Sequence, residues 1–236
     1  HGFMDGLSFH YYTIPGTWES KGSATEFDEK EYYRTLNKAY HIDTLIRNHS
    51  AIMDEFDPDK KIGMIVDEWG TWYDPEPGTN PGFLYQQNTM RDALVAGISL
   101  NLFNKHCNRV KMANIAQLVN VLQAPILTEY DKMILTPTYH VFHMYQYHQD
   151  GKLLDSHIES SYIGLEDNYL VPNLTESVSM DKEGRIHITV TNQSLGDSYE
   201  MEGVLAEAAV AGVKGEILTG DMRAMNTFND PDKVRP

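Results

Sequence analysis

The sequence predicts an α/β fold over residues 1–150 and antiparallel β structure over residues 151–236. Three observations carry this prediction. Short apolar runs alternate with stretches of helical periodicity, strand then helix, three times before residue 150. The strand candidates are built on apolar runs, most clearly Ile62 to Val66, as expected for buried strands of parallel β/α units. After His148-Gln149-Asp150-Gly151 the pattern changes to short segments that alternate apolar and polar residues.

The elements follow in order. Met4 to His10 is a short apolar strand, bounded by Pro15-Gly16. A long helix is expected from Asp28 to Asp54, with Leu36, Ala39, Ile42, Ile46 and Met53 on one face. Asp57-Pro58 stops it, because the residue before proline is pushed out of the helical region. The second strand is Lys61 to Glu68, followed by a loop of breakers from Asp74 to Gly82. The second helix runs from Tyr85 to Lys105, burying Met90, Leu94, Ile98 and Leu102. Val110 to Leu118 is the third strand. Thr136-Pro137 opens the third helix as N-cap and first helical position, and it continues to Tyr147.

Strand-helix units with apolar strands imply parallel pairing. Three such units make neither a closed barrel nor a good isolated sheet, and the start His1-Gly2-Phe3-Met4-Asp5 runs straight into a strand. The expectation is a chain that lacks its natural beginning. Further on, Tyr169 to Val171, Leu174 to Met180 and Arg185 to Asn192 are strand candidates, with a hairpin turn at Asp181-Lys182-Glu183-Gly184. Ile186, Ile188 and Val190 alternate with polar residues, which predicts one wet face. The stretch Asp221 to Pro236 is polar and ends without a closing strand.

The formal net charge of -15 repels phosphate backbones and excludes nucleic acid as a natural partner. It suits neutral substrates. The longest apolar runs fall well short of a membrane span, so no membrane partner is expected. Cys107 is the single cysteine and can form no internal disulfide; it is expected to be a buried, inert thiol.

Three successive strand ends carry polar groups: Ser8-Phe9-His10-Tyr11-Tyr12, Asp67-Glu68-Trp69, and Asn114-Ile115-Ala116-Gln117-Leu118-Val119-Asn120. In a β/α barrel such ends converge on one mouth, where active sites lie. A carboxylate at a strand tip walled by aromatic rings suits nucleophilic chemistry on a sugar. Asp67 is expected to point away from Glu68, since neighbouring strand residues face opposite sides.

The segments Gly6 to Tyr12, Val66 to Tyr73 and Ala116 to Val121 resemble glycoside hydrolase family 51, as do Asp92-Ala93-Leu94 and Ala124-Pro125-Ile126. The resemblance implies a retaining α-L-arabinofuranosidase built as a (β/α)8 TIM barrel with a β-sandwich. Residues 1–150 would be the C-terminal half of the barrel and residues 151–236 an incomplete jelly-roll-like sandwich. It implies Glu68 as the nucleophile and Tyr12 as the group that orients it. His10, Trp72 and Gln117 would contact the sugar. The family's acid/base glutamate lies in an Asn-Glu pair, which this sequence lacks, so that group and an upstream segment of the same protein would be required for activity. No metal and no cofactor are implied. Arabinofuranosyl-containing polysaccharides or oligosaccharides are the implied substrates, and a homo-oligomer the implied assembly. Two other readings stay open: another retaining barrel glycosidase of xylanase type, and a carbohydrate-binding fragment without catalysis.

Weaker candidates read as structure. Trp69 suits core packing as well as a sugar wall. The spacing of His140, His143 and His148 is poor for a metal on one helix face. Asp54, Glu55, Asp57 and Asp59 read as a solvated charge run.

Overall fold

A computed structural model describes residues 2–206 and 209–236. Three parallel strands form the first sheet: β1 (Gly6–Thr13), β2 (Gly63–Thr71) and β3 (Val110–Ile115), in the order β1-β2-β3. Only the central strand is deeply buried, with Met64, Val66 and Trp69 at 1% exposure or less.

Between β1 and β2 the expected single helix is two: α1 (Glu29–Ala39) and α2 (His41–Phe56), parted at Tyr40. The Tyr40 N–H donates to Asn37 and Lys38, a tightened turn, and its ring hydroxyl accepts from Gln193 Nε2 at 2.6 Å. The buried stripe is nonetheless as expected, with Leu36, Ala39, Ile42, Ile46 and Met53 all in the core. Asp28 caps α1, its carboxylate accepting from Glu31 N while Glu31 reaches back to Asp28 N. The acidic run after α2 is only partly solvated. Asp57 is buried, accepts from the amides of Lys61 and Ile62, and pairs with buried Arg109, which also meets Asp54.

The helix expected from Tyr85 begins at Met90. In α3 (Met90–Lys105) the Asp92 carboxylate accepts from Thr89 N at 2.7 Å, which fixes the start. Residues 85–89 stay extended because Gln86 and Asn88 spend their side chains on buried carbonyls of Thr71 and Ala124. The first-turn amides of Met90 and Arg91 donate to Ala224 and Met222 of the C-terminal stretch. The third strand ends at Ile115 rather than Leu118. A hairpin follows, β4 (Ile126–Glu129) with β5 (Lys132–Leu135), and then α4 (Pro137–Tyr145). Thr136 occupies the N-cap position, but its hydroxyl donates to the carbonyls of Ala124 and Pro125 instead of capping.

The second half holds β6 (Lys152–Leu153), β7 (Tyr162–Ile163), β8 (Val171–Pro172), β9 (Leu174–Met180) and β10 (Ile186–Asn192). β10-β9-β6 is an antiparallel sheet and β7-β8 a short ladder, so the expected order of parallel then antiparallel structure is found. The turn at Asp181–Gly184 closes as expected, with Gly184 at φ +80.

α3 lies between the two sheets and is buried almost all round, which explains why polar Asn101, Ser99 and Arg91 are inside. β10 comes so close at Gly97 that an added Cβ would meet Thr191 Oγ1 at 2.7 Å. This contact decides which face of β10 is the wet one. Thr189 and Thr191 turn inward, while Ile188 and Val190 are exposed. Asn101 Oδ1 accepts from Ser177, Thr189 and Tyr145 at 2.9–3.0 Å, a network that needs hydroxyls on the inner face. His148 joins its edge through Ser179 and Thr189. Cys107, expected inside, is exposed in the turn between α3 and β3. No helix among the described residues is long and apolar enough to cross a membrane.

Candidate active site

The C-terminal ends of β1 and β2 bring two of the sequence-predicted residues into contact. The parallel register pairs Phe9 with Val66 and then His10 with Glu68, skipping Asp67. This bulge removes the strict alternation of faces. Tyr12 donates its phenolic hydrogen to Glu68 Oε2 at 2.5 Å. Glu68 is exposed and Tyr12 half-buried, so one partner is held by packing and the other faces open space. Burial, then the hydrogen bond to Glu68 and the charges of Glu68 and Asp67, push the Tyr12 phenol well above its ordinary value. It therefore stays a proton donor.

The bulge also overturns the expectation for Asp67. Its carboxylate does not point away; Oδ1 lies 3.6 Å from His10 Nδ1, and its charge acts on Tyr12. His10 in turn sits beside Tyr12, with ring centroids 6.4 Å apart. The strand tips thus offer two carboxylates, a phenol and an imidazole in one cluster.

Trp72 stands edge-on to Tyr12, with centroids 5.0 Å apart, and edge-on to Trp18 at 5.2 Å. Lys21 Nζ lies over both indoles, 5.1 Å from Trp18 and 5.3 Å from Trp72. Asp74 holds this loop in place by accepting from the amides of Lys21 and Gly22. Trp18 and Lys21 were absent from the candidates read in the sequence. A tryptophan in the breaker-rich loop just after a strand tip was the available signal. Trp18 is 62% exposed even with Trp72 and Lys21 against it, leaving apolar ring surface open beside the strand tips.

Trp69 is resolved as core. It is 1% exposed and packs between Phe103 and Phe142, at 5.3 and 5.9 Å. Gln117 follows β3 across a cis peptide bond from Ala116, and its side chain is exposed. Its backbone N–H donates to Val121 O, and no hydrogen bond among the described residues joins Gln117 to Glu68 or Tyr12. The helical histidines serve packing: His148 is held by Ser179 and Thr189, and His140 and His143 lie against Tyr139. Among the described residues no group of three His, Cys, Asp or Glu side chains is placed to hold a metal ion.

The arrangement can do specific chemistry. A carboxylate aimed by a phenol is competent as a nucleophile or base. Indole faces beside it suit the apolar faces of a sugar ring and exclude water.

Comparison with known proteins gives a consistent picture. Residues 67–236 match the family described as Alpha-L-arabinofuranosidase C-terminal domain. The chain is 47% identical to an intracellular exo-alpha-L-arabinofuranosidase of Bacteroides ovatus, over 99% of this chain and 46% of that protein. The fold superposes on the GH51 arabinofuranosidase of Xanthomonas axonopodis pv. citri with a TM-score of 0.89 and 46% identity, covering 100% of this chain and 48% of that one. An alpha-L-arabinofuranosidase of Thermotoga maritima, solved as an arabinose complex, matches with a TM-score of 0.73 and 28% identity over 98% of this chain and 47% of that one. The chain thus spans less than half the length of these relatives. On these matches the chain belongs to the α-L-arabinofuranosidases of glycoside hydrolase family 51, and residues 67–236 carry their C-terminal domain.

Proposed function

We propose that the protein is a retaining, exo-acting α-L-arabinofuranosidase in which Glu68 is the nucleophile. The observation that carries this reading is the 2.5 Å hydrogen bond from Tyr12 to Glu68 at adjacent strand tips, in a chain of this family. Glu68 attacks the anomeric carbon and displaces the leaving oxygen, forming a glycosyl ester. A second carboxyl, about 5 Å away in retaining enzymes, protonates that oxygen and then takes a proton from the water that hydrolyses the ester. The acid/base group belongs to residues outside this chain. Tyr12, protonated throughout, donates to Glu68 and holds it in line.

The sugar would lie against Trp72, with Trp18 extending that wall and His10 and Gln117 offering hydrogen bonds. Residues 1–150 supply the barrel strands and residues 151–236 the sandwich, docked through α3. Arabinan, arabinoxylan and their oligosaccharides are the substrates this chemistry fits, and the working protein is a homo-oligomer.

The test is Glu68→Ala in the full-length protein. Turnover of an aryl α-L-arabinofuranoside should be abolished with the melting temperature unchanged. Added azide should restore release of a good leaving group, because a small anion fits the vacated space. Near-normal turnover in the variant contradicts the assignment, and preference for an aryl xyloside contradicts the substrate.

A further inference from the structure

Glu68 and Trp72 bracket the C-terminal tip of β2, Glu68 one residue before the pairing with β3 ends and Trp72 one residue past the strand. Pairing between the two strands ends at Trp69 and Ile115, with Ala116 N donating to Trp69 O at 2.9 Å. The next amide of β2 on that side is Thr71 N, and Thr71 is wholly buried. It donates to a side chain, Gln123 Oε1, at 2.8 Å. Gln123 is wholly buried and comes from the loop between β3 and β4.

The other end of the same amide is also engaged. Gln123 Nε2 donates to Asp92 O at 2.7 Å and to Thr138 Oγ1 at 3.2 Å. One side chain thus ties the β2 tip to the first turns of α3 and α4. It also lies under Gly70, where an added Cβ would meet Gln123 Oε1 at 3.3 Å. Gly70 is at φ +142, a conformation that strains other residues, so this stretch departs from regular strand geometry between Glu68 and Trp72. Support continues on the far side, where Thr71 Oγ1 and Tyr73 OH donate to Asp92 Oδ1 at 2.7 and 3.0 Å.

We propose that Gln123 is a positioning residue: its side-chain amide replaces a missing rung of β3 and sets the β2 tip so that Glu68 meets Tyr12 and Trp72 meets the substrate. The proposal rests on the reading of Glu68 as nucleophile. Only a neutral group that both accepts and donates satisfies this position. A methionine fills the volume but leaves the Thr71 amide buried and unpaired. An ionised glutamate accepts from Thr71 but turns a charged oxygen on the Asp92 carbonyl, whereas a protonated one does what glutamine does.

The test uses the full-length protein and an aryl α-L-arabinofuranoside. Gln123→Met should lower kcat roughly tenfold or more at a temperature where the variant is folded, with KM within about threefold, because small misplacements of a reacting group cost rate before binding. Thr138→Val removes another contact of the same buried amide; it should lower the melting temperature while keeping kcat within about twofold. Gln123→Glu covers the case in which the methionine variant does not fold. Its kcat relative to the parent should be higher at pH 5 than at pH 8, as the protonated acid mimics the amide. Wild-type kcat in the folded Gln123 variants, or equal kcat losses in Gln123→Met and Thr138→Val, overturns the proposal. Glu68→Ala run alongside separates the two claims. If it is inactive while Gln123 variants keep full kcat, only the positioning role fails. If it keeps turnover, the nucleophile reading fails and the proposal falls with it.

Discussion

Tyr12→Phe deletes one oxygen and leaves the ring in place against Trp72, so it isolates the hydrogen bond to Glu68. A hydrogen bond to a charged partner is worth about 1.5–3 kcal/mol when well buried. Here Glu68 is exposed and Tyr12 half-buried, so the low end applies, about 1.5 kcal/mol. At about 1.4 kcal/mol per factor of ten, a direct loss of that size lowers the rate about tenfold. Loss of aim adds to this, because Glu68 has no other hydrogen-bond partner among the described residues. The expected result is a kcat lowered roughly 10- to 100-fold with KM changed by less than about threefold. Steady-state kinetics of the full-length protein on an aryl α-L-arabinofuranoside read both constants. The phenol's raised pKa means that its ionisation does not intervene across the neutral range, so the deficit should be constant from about pH 5 to 8. A kcat within twofold of the parent would refute the orienting role. A raised KM at unchanged kcat would assign Tyr12 to substrate binding instead.

The remaining predictions follow from other contacts. Trp72→Ala should raise KM more than Trp18→Ala, since Trp72 touches Tyr12 directly and Trp18 only through Trp72; equal effects would place the sugar wall elsewhere. Gln117→Ala should raise KM with little change in melting temperature, because its exposed side chain makes no internal hydrogen bond among the described residues. Burial, then the nearby His187, lowers the His148 pKa to about 4, below the usual value near 6.5. The unfolded chain therefore binds more protons between these values, and stability present above about pH 6.5 declines as pH falls toward 4. With partial solvent screening the loss is on the order of 1–2 kcal/mol, and a His148→Gln variant should show a flatter melting profile over that range; an identical pH slope would refute it. Residues 1–236 made alone should lack glycosidase activity and aggregate, because β1 and β3 both leave an unpaired strand edge. A monomeric, active product would refute this.

Much of the site was legible because barrel chemistry gathers at strand ends. The tips of β1 and β2 could be found from apolar runs ending on polar residues, while the pairing of Tyr12 with Glu68 was implied only by the resemblance of their segments to glycoside hydrolase family 51. The side of Asp67 was not legible. It depends on a one-residue bulge that arises from pairing, which no single strand reveals. The division of roles between Trp69 and Trp72 was equally hidden, since it turns on whether Phe103 and Phe142 close over the ring. Which face of β10 is wet was not legible for a related reason. Alternation shows that two faces differ but not which is buried, and here Asn101 and Tyr145 on the helices select the hydroxyl face. The break at Tyr40 leaves no trace in the stripe of apolar residues, because α1 and α2 continue it with little change of phase.

The measurement that tests the central claim most directly is identification of the covalently labelled residue. The full-length protein is quenched in acid during turnover of an activated, slowly hydrolysed arabinofuranoside, digested, and its peptides weighed. The account predicts a single added pentosyl mass on the peptide that contains Asp67-Glu68-Trp69, with fragmentation placing it on Glu68, and no label in Glu68→Gln. A label on any other carboxylate, Asp67 included, or turnover without a trapped ester would contradict it.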